Sequence, residues 1–505
     1  MPALANELIS RLTPASSVHL LLVAFVLYRI GVVIWRLFFH PLAGFPGPKL
    51  YAASYLPFTF QNYVMGTLVK ESLNLHKKYG PIVRVSPTRL AIDGSIAWPE
   101  IFTRRPHQAE FEKTVEFYGL SDRIGIFPTY REDHRRQRRI MAHAFSEAAL
   151  TEQESYVKSY VDLLMLRLGE QAQQGKISDI AKWYNCFTFD VIGELAFADP
   201  FYSLEKSDYH PWIAMIFFSI KANSRIMFLF QYSFLRPFLL LVGSKTMRMK
   251  DESENLAREK TDKRLALRDD NRKDFMSYIL RNNKEDGNGM SHEEIHANSR
   301  AFIVAGSETT ATALSGLTFH LTRNPDVYRN LVQEIREAFA SEEEITTKST
   351  KRLTYLHACL EETLRIYPPA AETPPRVSPG DVIDGKFIPK GTYISVYQWA
   401  THHNPLNFAD PDAFRPQRFL PVAHPLYESR YSTDNKAAFR PFSTGPRDCI
   451  GKNLAYAEMQ VVAARLLWSF DIELQEGQED WVSSQATFTV YHKGPLMVKL
   501  KPRAK

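Results

Sequence analysis

The chain has 505 residues, of which 45% are hydrophobic and 23% charged, and its net charge is +6. The length allows a large core, and no shift in composition divides the body, so we predict one large domain over residues 49–505. The mild positive charge argues against a nucleic-acid partner, whereas a membrane surface or an acidic protein suits it. Cys186, Cys359 and Cys449 lie far apart, so neither a disulfide framework nor a zinc site is expected.

An almost uninterrupted apolar run extends from Val18 to Phe39. A membrane-spanning helix needs about 20 such residues, so we predict a transmembrane anchor within residues 1–39. Arg29 interrupts the run and would cost roughly 2.5–3.5 kcal/mol at the bilayer centre, which snorkelling or a shifted span reduces. The alternative is a cleaved signal peptide, but no small-x-small cleavage site follows the run.

Residues 40–48 contain three prolines and two glycines. Proline fixes the backbone φ angle, so this segment predicts a stiff hinge between anchor and body. Residues 79–92 and 385–396 predict two strand–turn–strand units of a small sheet. Residues 485–490 predict a last hairpin, whose tip is placed to touch a substrate.

A basic helix is predicted over residues 131–146. His134 and Arg138 are four residues apart and share one face, while Arg135 and Arg139 form the neighbouring stripe. One stripe is suited to binding carboxylates of a ligand, and the other is suited to the surface. The alternative is an ordinary solvated helix.

A second helix begins after Ser291, which is followed by acidic residues in the first turn. Its centre reads Ala-Gly-Ser-Glu-Thr-Thr and is surrounded by apolar residues, so we expect a buried helix. Glu308 and Thr309 carry a desolvation cost there unless they are hydrogen-bonded or functional. Thr309 is expected to bond back to Ala305, and Gly306 to leave room for a bend and a small ligand. This arrangement suits a proton relay to dioxygen; the alternative is a structural kink.

Two short motifs follow, Glu362-Thr-Leu-Arg365 and Pro416-Gln-Arg418-Phe. Each is weak alone, because charged pairs three residues apart are common on helices. Residues 368–377 lie between them and must be extended, because four prolines restrict the backbone.

The most specific stretch surrounds Cys449, in Phe442-Ser-Thr-Gly445-Pro-Arg447-Asp-Cys449-Ile-Gly451. Glycines allow a tight loop and close approach of a flat ligand, and an arginine offers a fixed fork for a carboxylate. A helix is predicted after Gly451, with its N-terminal N–H groups near the sulfur, where they stabilise a thiolate. The alternative is a structural cysteine in a turn.

This loop closely resembles the haem-binding loop of the cytochrome P-450 family. The acid–threonine helix, Glu-x-x-Arg, Pro-x-Arg-Phe and the cysteine loop stand in the family's order, and the resemblance covers about residues 40 to 500. It implies a mainly α fold, a helical prism with a small β-rich subdomain, preceded here by the transmembrane helix. The sequence departs from the family pattern where His134 replaces a tryptophan and Gln417 a glutamate.

The resemblance implies haem b, iron protoporphyrin IX, with Cys449 as the axial ligand. Contacts to the haem or its propionates are implied for Arg447, Arg138, His134, Arg376, Phe442, Gly445 and Gly451. Catalytic roles are implied for Glu308 and Thr309, and a buried ion network for Glu362, Arg365 and Arg418. The aromatic segment from Trp212 to Val242 is implied to roof the substrate channel and lean on the membrane, although core packing also explains it.

We therefore predict a monooxygenase that inserts one atom of dioxygen into a hydrophobic substrate, in fungal secondary metabolism. The implied partners are an NADPH-fed cytochrome P-450 reductase, with cytochrome b5 as a further candidate, and the endoplasmic reticulum membrane, with the body in the cytosol. A basic face of Arg135, Arg136, Arg139, Lys436, Arg440 and Lys452 is the candidate reductase dock. Two alternatives stay open: the same haem rearranging, coupling or dehydrogenating its substrate, and a haem-binding sensor or carrier without turnover.

Overall fold

The computed structural model describes residues 14–103, 105, 108–114, 117, 123–267, 271–283 and 288–503. The first 13 residues of the predicted anchor segment lie outside this range. Helix α1 (Pro14–Phe38) follows, and its part Ser17–Phe38 has 22 residues with a mean hydropathy of 2.2 and no buried side chain. Pro211–Gln231 is also long and apolar enough to cross a membrane, with a mean hydropathy of 1.5.

The predicted hinge lies packed against the body. Leu42 is buried, and the Arg84 amide donates to the Pro46 carbonyl at 2.7 Å. A Cβ atom on Gly47 would lie 2.4 Å from the Arg84 carbonyl oxygen, so this close approach requires glycine. Arg36, near the end of α1, donates to the Ala53 carbonyl at 2.8 Å. These contacts hold the C-terminal end of α1 at a defined place on the body.

Helices form most of the body, as the mainly α prediction required. The first half contains α2 (Lys49–Ala53), α3 (Leu56–Thr59), α4 (Leu68–Tyr79), α5 (Gly94–Ala97), α6 (Arg131–Met141), α7 (Glu147–Gln173), α8 (Ile180–Phe197) and α9 (Ser203–Lys206). The second half contains α10 (Pro211–Gln231), α11 (Leu239–Ala266), α12 (Phe275–Asn282), α13 (His292–Arg323), α14 (Pro325–Ala338), α15 (Thr354–Ile366), α16 (Gln398–His402) and α17 (Lys452–Ser469).

The strands are short: β1 (Ile82–Ser86), β2 (Arg89–Ile92), β3 (Glu112–Lys113), β4 (Ile177–Asp179), β5 (Arg376–Val377), β6 (Asp381–Ile383), β7 (Lys386–Ile388), β8 (Tyr393–Ser395), β9 (Phe470–Leu474), β10 (Ala486–Phe488), β11 (Val490–His492) and β12 (Met497–Pro502). The described residues form a five-stranded sheet, β1-β2-β8-β5-β3, a three-stranded sheet, β4-β12-β9, and the pairs β6-β7 and β10-β11.

The strand predictions hold with one difference in pairing. β1 and β2 pair antiparallel, with Ile82 opposite Ile92, as expected for residues 79–92. The two strands predicted within residues 385–396 form, but β7 pairs with β6, and β8 pairs with β2 and β5. Local alternation identifies a strand but not its partner, because pairing is decided by distant residues.

The centre of the core is the contact between α8 and α13. A Cβ atom on Gly306 would lie 2.8 Å from the Ile192 side chain, so glycine lets the two helices approach closely. We predicted that Gly306 would leave room for a bend and a ligand. The structure shows that α13 is assigned as one helix through this point and that Gly306 faces Ile192 of α8; the bend and the ligand stay predictions.

Candidate active site

Cys449 lies in a tight loop directly before α17. The Cys449 amide donates to the Phe442 carbonyl at 2.9 Å, and the Asp448 amide donates to the Gly445 carbonyl at 3.1 Å. Gly445 has a φ angle of +80°, and a Cβ atom there would lie 2.1 Å from the Phe102 carbonyl oxygen. Only glycine fits this position, so the loop depends on it. The Phe442 ring packs on Tyr456 of α17, with centroids 5.1 Å apart.

The backbone amide of Gly451 lies near the Cys449 sulfur and favours its anion. Surrounding protein atoms raise the pKa of the thiol by desolvation, and the Gly451 amide and Arg138 oppose that shift. Cys449 is nevertheless exposed, whereas Cys186 and Cys359 are buried. Of the three cysteines, Cys449 is therefore the one whose sulfur is open to a ligand. Coordination deprotonates a thiol outright, so a raised thiol pKa makes metal binding dependent on pH but does not prevent it.

Three guanidinium groups converge beside this loop. Arg138 donates to the Asp448 carbonyl at 2.6 Å, and Arg447 donates to Glu110 at 2.5 Å and to the Thr129 carbonyl at 3.0 Å. Arg376 donates to the Phe111 carbonyl at 3.2 Å and lies 3.8 Å from Glu110. The structure thus brings together three of the predicted propionate ligands from α6, β5 and the cysteine loop.

The positive charge of this cluster lowers the pKa of neighbouring basic side chains. Burial, Arg376 and Arg447 lower the pKa of Lys113 well below its ordinary value. Burial and the cations Arg447, Lys113 and Arg138 lower the pKa of His134 to about 3, so this imidazole is neutral at physiological pH. The cations outnumber the adjoining carboxylates, and a dianionic ligand would relieve their mutual repulsion. The residues therefore fit the two propionates of a haem.

Thr309 and Glu308 lie at the middle of α13. The Thr309 hydroxyl donates to the Ala305 carbonyl at 2.7 Å, the back-bond that the sequence predicted. Glu308 is buried and accepts a hydrogen bond from Thr312 at 3.3 Å. The next residue, Thr310, is hydrogen-bonded to Glu458 of α17, whose pKa burial raises to about 8. This bond joins α13 to the helix that begins after the cysteine loop.

Glu308 has a partner that the sequence did not predict. Its Oε1 atom forms a buried ion pair with Lys493, in the loop after β11, and Lys493 lies 2.5 Å from the Thr312 hydroxyl. The other carboxylate oxygen, Oε2, is buried and has no hydrogen-bond partner among the described residues. The acid therefore keeps one free oxygen in an apolar setting.

Glu362, Arg365 and Arg418, the predicted ion network, lie together in the interior. Glu362 accepts two hydrogen bonds from Arg365, at 2.7 and 2.8 Å, and lies 3.0 Å from the Arg418 guanidinium. Arg365 also donates to the carbonyls of His402, Pro411 and Ala413. Arg418 pairs with Asp434, which the sequence analysis missed. Gln417 is not needed for this network, because the backbone carbonyls and Asp434 complete it.

Five charged neighbours of the predicted site residues were missed from sequence: Glu110, Lys113, Asp434, Glu458 and Lys493. Each is a single charged residue without a recurring spacing, so periodicity carried no signal for it. One residue was assigned wrongly. Arg136 was placed on the reductase dock, but it donates to Glu294, Asp133 and the Gly289 carbonyl, which hold it against the N-terminus of α13.

A cavity of about 220 Å³ lies between α13, the five-stranded sheet and the β10–β11 hairpin. Val304 of α13 lines it, five residues before Thr309, together with Phe488 and Thr489 of the hairpin. Thr489 has a φ angle of +70°, at the hairpin tip. The predicted contact between this tip and a substrate is consistent with its place in the cavity wall.

An open thiol on a glycine-dependent loop, a basic cluster suited to propionates and an acid–threonine helix define a haem-thiolate protein. Comparison with known proteins agrees with that class. The family model described as cytochrome P-450 matches residues 53–500. The chain therefore belongs to the cytochrome P-450 family, as the sequence motifs predicted.

Several curated relatives match along almost the whole chain. The cytochrome P-450 monooxygenase efuB of Hormonema carpetanum is 40% identical over 485 residues, covering 94% of this chain and 95% of that protein. The cytochrome P-450 monooxygenase astA of Talaromyces wortmannii is 40% identical over 484 residues, covering 95% and 96%. The averantin hydroxylase of Dothistroma septosporum is 37% identical over 487 residues, covering 95% and 90%.

Proposed function

We propose that this protein inserts one atom of dioxygen into a hydrophobic organic substrate, while the second atom leaves as water. The relatives named as monooxygenases, all from fungi, support a role in fungal secondary metabolism. The observation that carries the proposal is the Cys449 loop: its cysteine is exposed, and Arg138 and Arg447 lie beside it. Electrons come from NADPH through a reductase.

Haem b is the cofactor that these residues fit. Cys449 would hold the iron, and Arg138, Arg376 and Arg447 would hold the propionates, with neutral His134 as a further N–H donor. When bound, a haem with a thiolate ligand supplies electron density that favours cleavage of the O–O bond. The Gly451 N–H and the N-terminus of α17 stabilise negative charge on the sulfur.

The test of this assignment is optical. The purified protein, reduced under carbon monoxide, should show the absorption signature of thiolate-ligated haem, and Cys449→Ala should abolish it. Cys186→Ala and Cys359→Ala are matched controls, because both thiols are buried and should leave the signature intact. A signature that persists in Cys449→Ala would overturn the assignment.

Glu308 and Thr309 are proposed to deliver protons. The Thr309 hydroxyl is held by Ala305, and the buried acid next to it has one oxygen without a partner among the described residues. A positioned hydroxyl and a carboxyl can pass protons over short distances, which general acid catalysis requires. Both residues act from a helix that is buried and continuous, so their positions are well defined.

The proposed reductase dock consists of the exposed cations Arg135, Arg139, Lys436, Arg440 and Lys452. Arg135 and Arg139 project from α6, and Lys452 begins α17, so the patch lies on the side of the molecule that carries the cysteine loop. An acidic flavoprotein fits this charge, and such complementarity mainly accelerates association. Cytochrome b5 is a second acidic partner that the same surface would accept.

Anchoring in the endoplasmic reticulum membrane, with the body in the cytosol, is proposed from the apolar surface. Helix α1 exposes nearly all of its apolar side chains. Exposed apolar residues continue beyond it on the body, at Leu50, Leu56, Phe60, Phe234 and Phe238. Phe60 contacts Phe228 of α10, with centroids 6.4 Å apart, so part of this surface is shared with the second apolar helix. A contiguous apolar surface of this kind marks a membrane contact.

A further inference from the structure

The substrate cavity has one apolar part and one polar wall. Aromatic and aliphatic side chains form the apolar part: Phe58, Tyr63, Phe117, Met227, Val304 and Phe488. Ring systems pack well against such side chains, because aromatic pairs gain energy beyond simple burial. The cavity therefore favours a substrate with a flat or cyclic apolar body.

Arg89 of β2 dominates the polar wall. It is buried, and its Nη1 atom donates to the Ser395 hydroxyl of β8 at 3.0 Å. Its guanidinium carbon lies 4.8 Å from the ring centroid of Phe58 and 5.1 Å from that of Tyr393. Two rings and one hydroxyl thus hold a cation at the edge of the cavity, with a fixed orientation.

Glu372 faces the same cavity from the extended segment after α15. Burial raises the pKa of its carboxyl to about 7, and Arg89 opposes that shift. Among the residues that the structure describes, none forms a hydrogen bond or an ion pair with the Glu372 carboxyl. A half-buried carboxyl that lacks a hydrogen-bond donor has lost part of its hydration, so this group points to a ligand that would satisfy it.

The two groups together restrict the charge of the ligand. Arg89 would attract an anionic substrate, but Glu372 would repel it. Glu372 would attract a cationic substrate, but Arg89 would repel it. A neutral molecule avoids both conflicts, since a carbonyl oxygen accepts from a guanidinium and a hydroxyl donates to a carboxylate.

We propose that the substrate is a neutral, largely apolar ring compound that carries a carbonyl oxygen bound by Arg89 and a hydroxyl bound by Glu372. This inference rests on the proposed monooxygenase function and names the substrate class of the same site. It distinguishes hydroxylated ketones from hydrocarbons without oxygen and from carboxylic acids.

The test is equilibrium dialysis of the holoenzyme with three probes of similar size: a hydroxynaphthyl methyl ketone, the corresponding hydroxynaphthoic acid and ethylnaphthalene. At pH 7.5 the wild type should bind the ketone most tightly among the oxygenated probes. Arg89→Met should weaken ketone binding about tenfold or more, because a hydrogen bond to a charged group is lost, and should leave ethylnaphthalene unchanged. Arg89→Lys should recover part of the loss, and it replaces Arg89→Met if that variant fails to fold.

The hydroxynaphthoate probe tests Glu372. Within the part of the chain that the structure describes, the titratable side chains lining the cavity are Tyr63, Arg89, Glu372 and Tyr397. Arginine and tyrosine ordinarily titrate near or above pH 10, so only a carboxyl of pKa near 7 changes charge between pH 6.0 and 7.5. Hydroxynaphthoate should therefore bind more weakly to the wild type at pH 7.5 than at pH 6.0, and Glu372→Gln should remove this difference.

Equal effects of Arg89→Met on all three probes, or a pH difference that survives in Glu372→Gln, would overturn the proposal. The carbon monoxide signature of the same samples separates this outcome from failure of the proposed function. If the signature is intact and binding does not discriminate among the probes, the substrate class is wrong while the haem-thiolate assignment stands.

Discussion

The ammonium group of Lys493 contacts the carboxylate of Glu308 in the interior, so the loop after β11 is tied to the centre of α13. The side chains are only 7% and 4% exposed, respectively. The hairpin that leads into this loop also supplies Phe488 and Val490 to the cavity wall. Glu308 and the proposed substrate cavity therefore both contact the segment formed by β10, β11 and the loop after β11.

Lys493→Met should destabilise the protein by about 3–5 kcal/mol, because it leaves the Glu308 carboxylate buried without its cation. The double variant Lys493→Met/Glu308→Gln should lose clearly less, since neither charge remains. Urea unfolding followed by tryptophan fluorescence compares the wild type, Lys493→Met, Glu308→Gln and the double variant. If the two substitutions were simply additive, the ion pair would not contribute in this way.

Thr309→Ala should consume NADPH at a rate similar to the wild type but release more peroxide and less product. The substitution removes the hydroxyl held on Ala305, through which we expect protons to pass. Thr322→Ala is the matched control, because Thr322 on the same helix makes the same kind of back-bond, to Thr318 at 2.9 Å, away from the site. Peroxide and product are measured per NADPH oxidised, and unchanged yields in Thr309→Ala would remove this residue from the mechanism.

Arg365→Ala should prevent accumulation of folded holoenzyme or lower its stability by about 3–5 kcal/mol. It would leave Glu362 buried and three backbone carbonyls without their donor. Arg329→Ala is the control, because its pair with Asp326 is 72% and 89% exposed and should contribute less than about 1 kcal/mol. Haem content per chain and the unfolding midpoint report the difference; similar values for the two variants would contradict it.

Reversing the charge of the proposed dock, with Arg135→Glu and Arg139→Glu, should raise the apparent reductase KM and weaken its dependence on ionic strength. Both side chains are exposed, and surface charges of this kind act mainly on encounter. Lys386→Glu with Lys390→Glu makes the same change of net charge around the β6–β7 hairpin and should leave the KM unchanged. Steady-state turnover, measured over a range of salt concentrations, shows which of the two double variants changes the reductase KM.

Stability should fall with acid partly because of His320. Burial, with Arg365, lowers the pKa of this histidine from 6.5 to about 3. Between these values the unfolded chain binds a proton that the folded protein does not, so stability rises with pH through this window. From pH 6.5 to pH 5.0 the expected loss is about 2 kcal/mol per such group.

His320→Leu should flatten that slope in urea unfolding at the two pH values, whatever its effect on absolute stability. His143→Leu is the control, since His143 is exposed. A slope as steep in His320→Leu as in the wild type would show that other groups cause the acid sensitivity.

The amino-acid sequence by itself determined the class of this protein. The residues that identify it stand within ten positions: Phe442, Gly445, Arg447, Cys449 and Gly451. They form one local loop, which is closed by backbone hydrogen bonds between neighbouring residues. The apolar anchor helix and the back-bond of Thr309 are likewise local, because both follow from residues within one helix.

Only the tertiary structure decided which charges meet. Lys493 lies 185 residues from Glu308 along the chain, and Arg89 lies 306 residues from Ser395. A single charged residue carries no periodic signal, and its partner is chosen by how distant elements pack. The same packing moved Arg136 from the expected dock to Glu294 and turned Gly306 toward Ile192, because burial of apolar surface sets helix positions first and the polar contacts follow.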